Sequence, residues 1–214
     1  MTGAKVLVRI FGMDSRLVFI LATAAAFFIG AIPFAFLTGK MRGIDIRRHG
    51  SGNIGATNVW RCVGKGWGVF AFICDFLKGC LPVLYAKTLG IDHLPMVVGA
   101  AAVAGHIFTP FMRFKGGKGV ATGFGMLVAL IPALSLAAFG VFVLTVLLTR
   151  YISAGSILAA AFLGICVWFD VPCLNSPVPD TATQVLVSLL AILVITKHRT
   201  NILRIATGTE NKFF

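Results

Sequence analysis

The chain has 214 residues, of which 58% are hydrophobic and 12% are charged, and its net charge is +12. A soluble domain carries about 25% charged residues, so this composition excludes an ordinary soluble protein and indicates an all-α polytopic membrane protein. A basic soluble protein would suggest nucleic-acid binding, but these basic residues lie mostly between apolar runs, and we expect no nucleic-acid partner.

Six apolar runs follow one another along the chain, and several approach the roughly 20 residues that span a bilayer. They cover residues 17–37, 67–85, 94–112, 120–149, 151–169 and 182–196. No clear small-residue cleavage site follows the first run, so we interpret it as a retained helix and not as a signal peptide. Because 120–149 would be about 45 Å long as one helix, we predict two short crossings separated near Pro132.

Basic residues concentrate in three short segments between these runs. The segments cover 40–65, 113–118 and 197–212. The positive-inside rule places such segments in the cytoplasm, and about seven transmembrane helices then fit, with the N-terminus outside and the C-terminus in the cytoplasm. Five helices is the alternative if part of 120–169 does not span, and the acidic stretch 170–180 would be an outer loop. Lys5, Arg9 and Arg16 oppose this topology, so they either form an interfacial helix or indicate the opposite orientation.

The first basic segment contains Gly-Ser-Gly-Asn-Ile-Gly at 50–55, the G-x-G-x-x-G pattern of dinucleotide-binding turns. That fold needs a buried strand before the pattern and an acidic residue about 20 residues later. This chain has a polar stretch before Gly50 and places Phe70 at that distance, so the pattern does not predict dinucleotide binding. The glycines suit either an anion-binding loop or a helix cap and turn. The candidate anion ligands are Ser51, Gly52, Asn53, Thr57, Asn58 and Arg61.

The second basic segment carries Lys-Gly-Gly-Lys-Gly at 115–119. It is not a Walker A loop, because Gly119 follows Lys118 where Ser or Thr is required. The glycines predict a nest of backbone N–H groups, and the lysines and the N-terminus of the following helix add positive charge. We interpret the segment as a phosphate site, with a plain basic turn as the alternative. Its candidate ligands are Lys115, Gly116, Gly117, Lys118 and Gly119.

The third basic segment places His198, Asn201 and Arg204 three residues apart, which on a helix puts them on one face. Such a face suits a substrate with hydroxyl and phosphate groups. The alternative is an amphipathic tail that lies on anionic lipid.

Polar residues also interrupt two of the apolar runs. Asp75 and Lys78 lie three residues apart, and charges in a membrane helix are costly, so we expect these two side chains to pair with each other. His106 precedes the second basic segment, and we interpret it as a hydrogen-bonded packing residue.

Taken together, the three segments resemble the PlsY family of bacterial membrane acyltransferases in motif order, spacing and chain length. The resemblance rests on residues 51–61, on 114–122, and on His198, Asn201, Arg204 and Glu210. It implies transfer of an acyl group from acyl phosphate to the sn-1 hydroxyl of glycerol 3-phosphate, giving lysophosphatidic acid and inorganic phosphate. It also implies one acyltransferase domain over 1–214, embedded in the lipid of the bacterial inner membrane, with its site facing the cytoplasm.

The same resemblance assigns roles to the candidate residues. Ser51, Arg61, His198 and Asn201 would be catalytic, and the glycine-rich loops with Arg204 and Glu210 would bind substrate. Both substrates are phosphates and no carboxylate cluster is visible, so we expect neither a metal nor another cofactor. We expect a monomer.

Two points of mechanism and two other functions stay open at this level. His198 and a substrate phosphate are both candidates for the general base, while an acyl intermediate on Ser51 is disfavoured because no Ser-His-acid set is visible. An anion transporter is the main rival function, although the chain shows no internal repeat of the kind transporters often carry. A phospholipid-binding membrane protein without enzyme activity is the second rival.

Overall fold

A computed structural model describes residues 14–171, 174 and 178–214, and the elements that these residues form are helices, with no strand among them. They group into two compact units, one ending at Leu130 and one running from Ile131 to Phe214. The predictions for Lys5 and Arg9, and for part of the loop at 170–180, concern residues outside the described ranges. The prediction of one acyltransferase domain over 1–214 concerns activity and stays a prediction.

The described part of the first unit contains six α-helices and a short 3-10 helix. They are α1 (Ser15–Ala31), α2 (Phe34–Met41), α3 (Ala56–Cys62), α4 (Lys65–Leu89), α5 (Leu94–Ile107), the 3-10 helix Pro110–Met112 and α6 (Val120–Leu130). Asp14 caps α1 because its carboxylate accepts a hydrogen bond from the Arg16 N–H. Gly90 ends α4 in the left-handed conformation, at a φ of 63°.

The described part of the second unit contains four α-helices. They are α7 (Pro132–Thr149), α8 (Ile152–Cys166), α9 (Thr181–Lys197) and α10 (Arg199–Ala206). The predicted break near Pro132 is confirmed, since α6 ends at Leu130 and α7 begins at Pro132. Proline suits the first position of a helix, where its missing N–H would have no partner within the helix.

Several of the described helices are long and apolar enough to cross a membrane. Four segments qualify, namely Ser15–Met41, Lys65–Leu89, Leu94–Met112 and Pro132–Thr149, and α9 with α10 forms a fifth that is bent by 53°. The apolar helices α6 and α8 are shorter than these. The prediction of a polytopic all-α membrane protein is therefore confirmed for the described residues, and its count of seven crossings stays a prediction.

One break differs from the sequence-based expectation of a single helix over 17–37. Pro33 has no N–H for a helical hydrogen bond and its ring crowds the preceding turn, and the helix is interrupted here, with α1 ending at Ala31 and α2 beginning at Phe34. The break leaves two carbonyl groups that accept hydrogen bonds from distant side chains. Thr109 donates to the Ala31 carbonyl at 2.6 Å, and Lys78 donates to the Ile32 carbonyl at 2.8 Å.

Glycines bring the helices of the first unit into direct backbone contact. A Cβ atom at Gly105 of α5 would overlap the Phe27 carbonyl of α1, and one at Gly79 of α4 would overlap the Thr122 carbonyl of α6. Small residues allow this close approach in membrane proteins, where packing and not the exclusion of water holds helices together.

We expect Gly105→Ala to destabilise the first unit by about 1–3 kcal/mol, because the added methyl must push two helix backbones apart. Gly140→Ala on α7 is the matched control, since a Cβ there meets no atom within 4 Å. Thermal unfolding of both variants in detergent measures the difference. Equal melting temperatures for the two variants would contradict this view of the α1–α5 contact.

Candidate active site

The first basic segment folds as a tight loop between α2 and α3. Gly50 and Gly52 adopt left-handed conformations with φ of 60° and 70°, which side chains rarely tolerate. Gly50 also packs closely, because a Cβ there would overlap Asn58 Oδ1 and lie 2.7 Å from Cys62 Sγ. Position 50 therefore requires glycine both for its backbone conformation and for the space around it.

Asn58 organises this loop from inside the protein, with only 1% of its surface exposed. Its side-chain oxygen accepts a hydrogen bond from the Ser51 N–H at 3.0 Å, and its amide nitrogen donates to the carbonyls of Ile46 and His49 at 2.8 and 3.1 Å. These bonds fix the backbone that carries Ser51. The structure thus gives Asn58 a positioning role, and its direct contact with substrate stays a prediction.

One acidic residue, Asp45, lies at the start of the loop and offsets part of its positive charge. The Arg47 guanidinium contacts the Asp45 carboxylate at 2.7 Å. This hydrogen bond from Arg47 holds the pKa of Asp45 at about 2, below its ordinary value of 3.8, so the carboxylate is ionised at neutral pH. In the same segment Arg48 is 84% exposed, whereas Arg61 on α3 is half-buried.

The second basic segment differs from the predicted nest of N–H donors. The Gly116 and Gly117 N–H groups donate to the carbonyls of Ile107 and His106 at 3.0 and 3.2 Å, so they point to α5 and not outward. A Cβ at either glycine would overlap an atom of His106. The prediction of a nest at these two glycines is wrong, because their N–H groups bond to α5 and their lack of side chains lets the loop approach that helix closely. Lys115 is exposed and Lys118 is half-buried at this loop.

His198 lies at the junction of α9 and α10 and is 3% exposed. Its Nδ1 donates a hydrogen bond to the Val194 carbonyl at 2.7 Å. A carbonyl only accepts, so this bond requires the proton on Nδ1, and the neutral ring then carries its lone pair on Nε2. The backbone of α9 therefore fixes both the orientation and the tautomer of the imidazole.

Three side chains of the second unit contact the carboxylate of Glu210, which is 4% exposed. Its Oε1 accepts hydrogen bonds from Asn201 Nδ2 at 2.7 Å and from Ser153 Oγ at 2.8 Å. Its Oε2 lies 3.5 Å from Arg204 Nε. Asn201 and Arg204 thus reach the same group from α10, in agreement with the shared helix face that their spacing predicted, whereas His198 lies just before that helix.

Ser153 is the residue of this cluster that sequence reasoning missed. It lies on α8, 57 residues from Glu210, and no local pattern marks it. Ser51, Gly52, Asn53, Thr57, Asn58, Arg61 and residues 115–119 lie in the first unit, and His198, Asn201, Arg204 and Glu210 lie in the second. Among residues 14–171, 174 and 178–214, no three His, Cys, Asp or Glu side chains lie close enough to hold a metal ion.

We expect Gly50→Ala to destabilise the protein more than Gly43→Ala. Both positions have left-handed φ, 60° and 73°, so both variants carry a backbone strain of about 1–2 kcal/mol. Only Gly50 adds an overlap, since a Cβ at Gly43 meets no atom within 4 Å. Thermal unfolding measures both variants, and a larger loss for Gly43→Ala would contradict the packing of Gly50 against Asn58.

For the second unit, we expect Glu210→Gln to be milder than Glu210→Ala. Glutamine keeps an oxygen that accepts from Asn201 and Ser153, although it loses the ion pair with Arg204 and turns an NH2 donor toward that guanidinium. Alanine leaves both donors buried without this acceptor, at a cost of about 1–3 kcal/mol for each unsatisfied group. Unfolding in detergent measures both variants, and equal losses would show that the hydrogen bonds to Oε1 contribute nothing.

Comparisons with known proteins agree with one another. The family model for glycerol-3-phosphate acyltransferase matches residues 20–208. The glycerol-3-phosphate acyltransferase of Trichlorobacter lovleyi is 48% identical over 89% of this chain and 95% of its own length, and that of Geobacter sulfurreducens is 45% identical over 91% and 97%. A crystal structure of PlsY, an integral membrane glycerol 3-phosphate acyltransferase in its glycerol 3-phosphate form, has a TM-score of 0.83 and 38% identity, covering 92% of this chain and 96% of that one. The chain therefore belongs to the glycerol-3-phosphate acyltransferase (PlsY) family.

Proposed function

We propose that the protein transfers an acyl group from acyl phosphate to the sn-1 hydroxyl of glycerol 3-phosphate, which yields lysophosphatidic acid and inorganic phosphate. The observation that carries this proposal is the membership of the family together with basic, glycine-rich loops at the positions of its motifs. The two related PlsY structures are a glycerol 3-phosphate form and a lysophosphatidic acid form, which supports these molecules as substrate and product.

The reaction needs little activation of the donor, because the leaving group of acyl phosphate is a stable phosphate. The hydroxyl oxygen attacks the carbonyl carbon, a new ester bond forms, and the bond from that carbon to the phosphate oxygen breaks. The enzyme has to hold two anions together against their repulsion and orient the hydroxyl toward the carbonyl. Cationic side chains and N–H donors also stabilise the charge that develops on the carbonyl oxygen and the departing phosphate.

In this proposal the glycine-rich loops bind the phosphates. Ser51 and Arg61 act at the reacting centre, where the Arg61 guanidinium forms a bidentate contact with phosphate. Lys115 and Lys118 hold the phosphate of the donor. The remaining residues of the two loops, Gly52, Asn53, Thr57, Asn58, Gly116, Gly117 and Gly119, shape the loops or contact the substrates directly.

His198 and Asn201 act on the hydroxyl group that attacks. Because Nδ1 donates to the Val194 carbonyl, the neutral imidazole carries on Nε2 the lone pair that a general base needs. Glu210 orients Asn201 and balances the charge of Arg204. A phosphate of the substrate is the competing proton acceptor, and a wild-type rate in a His198→Asn variant would exclude the imidazole as the base.

The proposed topology has seven crossings, with the N-terminus outside and the C-terminus and the site on the cytoplasmic side of the inner membrane. The four or five long apolar segments and the shorter α6 and α8 together support this count. The concentration of basic residues in segments 40–65, 113–118 and 197–212 supports the orientation. The protein acts as a monomer in this proposal.

The deciding experiment supplies purified protein with acyl phosphate and glycerol 3-phosphate in the absence of coenzyme A. We expect lysophosphatidic acid and phosphate in equal amounts. Ser51→Ala and Arg61→Ala should each reduce the rate about 100-fold or more, because each removes a charge-stabilising group. Arg48→Ala is the matched control in the same loop and should keep the wild-type rate, since its side chain is 84% exposed.

Two results would contradict parts of this proposal. Folded wild-type protein that forms neither product would overturn the acyltransferase function with this donor. A wild-type rate in Ser51→Ala or Arg61→Ala would remove that residue from the reacting centre.

A further inference from the structure

Three ionisable side chains are buried together in the first unit, away from solvent and within long apolar helices. Lys78 Nζ lies 2.7 Å from Asp75 Oδ1 on α4, as the sequence predicted, and both side chains are 2% exposed. His106 of α5 joins them, with its Nδ1 3.7 Å from the same carboxylate oxygen. Burying such groups in membrane helices is costly and usually serves a function. We therefore expect these three side chains to do more than fill space.

On one side, this cluster holds the break between α1 and α2. Lys78 donates to the Ile32 carbonyl at 2.8 Å, and Thr109 donates to the neighbouring Ala31 carbonyl. The Asp75 carboxylate keeps the Lys78 ammonium in place for this bond. The Lys78 ammonium therefore has two partners, the Asp75 carboxylate on its own helix and the Ile32 carbonyl in the segment that follows α1.

On the other side, the cluster contacts the second glycine-rich loop. The Gly117 N–H donates to the His106 carbonyl, and the ring edge of His106 is so close to Gly117 that a Cβ there would overlap Nε2. The same Cβ would lie 3.1 Å from the carbonyl of Ile54, in the first loop. Gly117 thus lies between the imidazole and the first loop, directly before Lys118.

A small cavity lies at this meeting point and has room for about one water molecule. Its polar lining includes Asp75, Lys78, His106 and Thr109, and Gly117 and Ile54 bring the two loops to its wall. The buried charges and both loops therefore share one boundary, where the imidazole lies directly against the loop that carries Lys118.

We propose that Asp75 and His106 are positioning residues for the glycine-rich loop at 115–119, and that they place Lys118 for the phosphate of the acyl donor. The inference rests on the proposed function and adds residues that none of the sequence motifs contains. The Asp75 carboxylate faces the imidazole at 3.7 Å on one side, and Gly117 packs against the imidazole on the other. Positioning of this kind matters because a displacement of about 1 Å at a reacting group can reduce the rate 100-fold.

The test uses Asp75→Asn and the double variant Asp75→Asn/Lys78→Met in the full-length protein. The single variant leaves the buried Lys78 without its carboxylate and loses thermal stability. The double variant removes both charges at similar volume and regains stability, since the Ile32 carbonyl still accepts from the Phe34 N–H. In both variants we expect the KM for acyl phosphate to rise about tenfold, an order-of-magnitude expectation for a misplaced ligand, while the KM for glycerol 3-phosphate stays within about twofold.

The outcomes separate the possible explanations. A double variant that regains both stability and the wild-type donor KM would overturn the positioning role, because the pair would then serve only the fold. An equal rise in the KM of both substrates would also overturn it. Wild-type protein that is inactive with both substrates would instead contradict the proposed function, so the two failures are distinguishable.

A second measurement tests the contact between His106 and Gly117. Gly117→Ala and His106→Ser should each raise the donor KM, and the double variant should raise it by less than the product of the two single effects, because His106→Ser makes room for the added methyl. Gly116→Ala is the matched control, because its Cβ overlaps the backbone carbonyls of His106 and Ile107 and no change of the His106 side chain relieves it. The contact between His106 and Gly117 would be contradicted if His106→Ser had the same effect on the donor KM in the Gly117→Ala and Gly116→Ala backgrounds.

Discussion

In an apolar environment every backbone carbonyl must find its hydrogen-bond donor within the protein, and the break at Pro33 takes the Ala31 and Ile32 carbonyls out of the helical hydrogen-bond pattern, where Ile32 keeps only the local Phe34 N–H. The described residues supply a hydroxyl from Thr109 and an ammonium from Lys78. The ammonium requires Asp75, and Asp75 brings His106 into the same cluster. His106 in turn packs against Gly117, so one continuous set of contacts joins the helix break, the buried charges and the second glycine-rich loop.

The features that the sequence could predict are those that depend on neighbours along the chain. The break at Pro132 follows from the backbone of proline, and the pairing of Asp75 with Lys78 follows from one helical turn. Asn201 and Arg204 share a partner because of their spacing on α10. The contacts that were missed join distant residues, such as Lys78 with Ile32 across 46 positions and Ser153 with Glu210 across 57. No periodicity or motif encodes such pairs.

Glycine meets two different physical requirements in these loops, a left-handed backbone and close packing. A sequence motif does not distinguish one from the other. Gly50 needs a left-handed backbone and also the space beside Asn58. Gly116 and Gly117 were predicted to expose N–H donors, but their N–H groups bond to α5 and their missing side chains let the loop lie against His106. The positive charge of that loop therefore resides in its lysines and at the start of α6, and the glycines set the distance at which those groups are held.

The central claim is that the protein transfers the acyl group and not the phosphoryl group of its donor. The most direct measurement supplies acyl phosphate whose oxygen between carbonyl carbon and phosphorus carries a heavy isotope, and then analyses both products by mass spectrometry. Attack of the glycerol 3-phosphate hydroxyl on the carbonyl carbon releases that oxygen with the phosphate, so we predict the label entirely in inorganic phosphate. Label recovered in a free fatty acid, with a phosphorylated acceptor, would contradict the account.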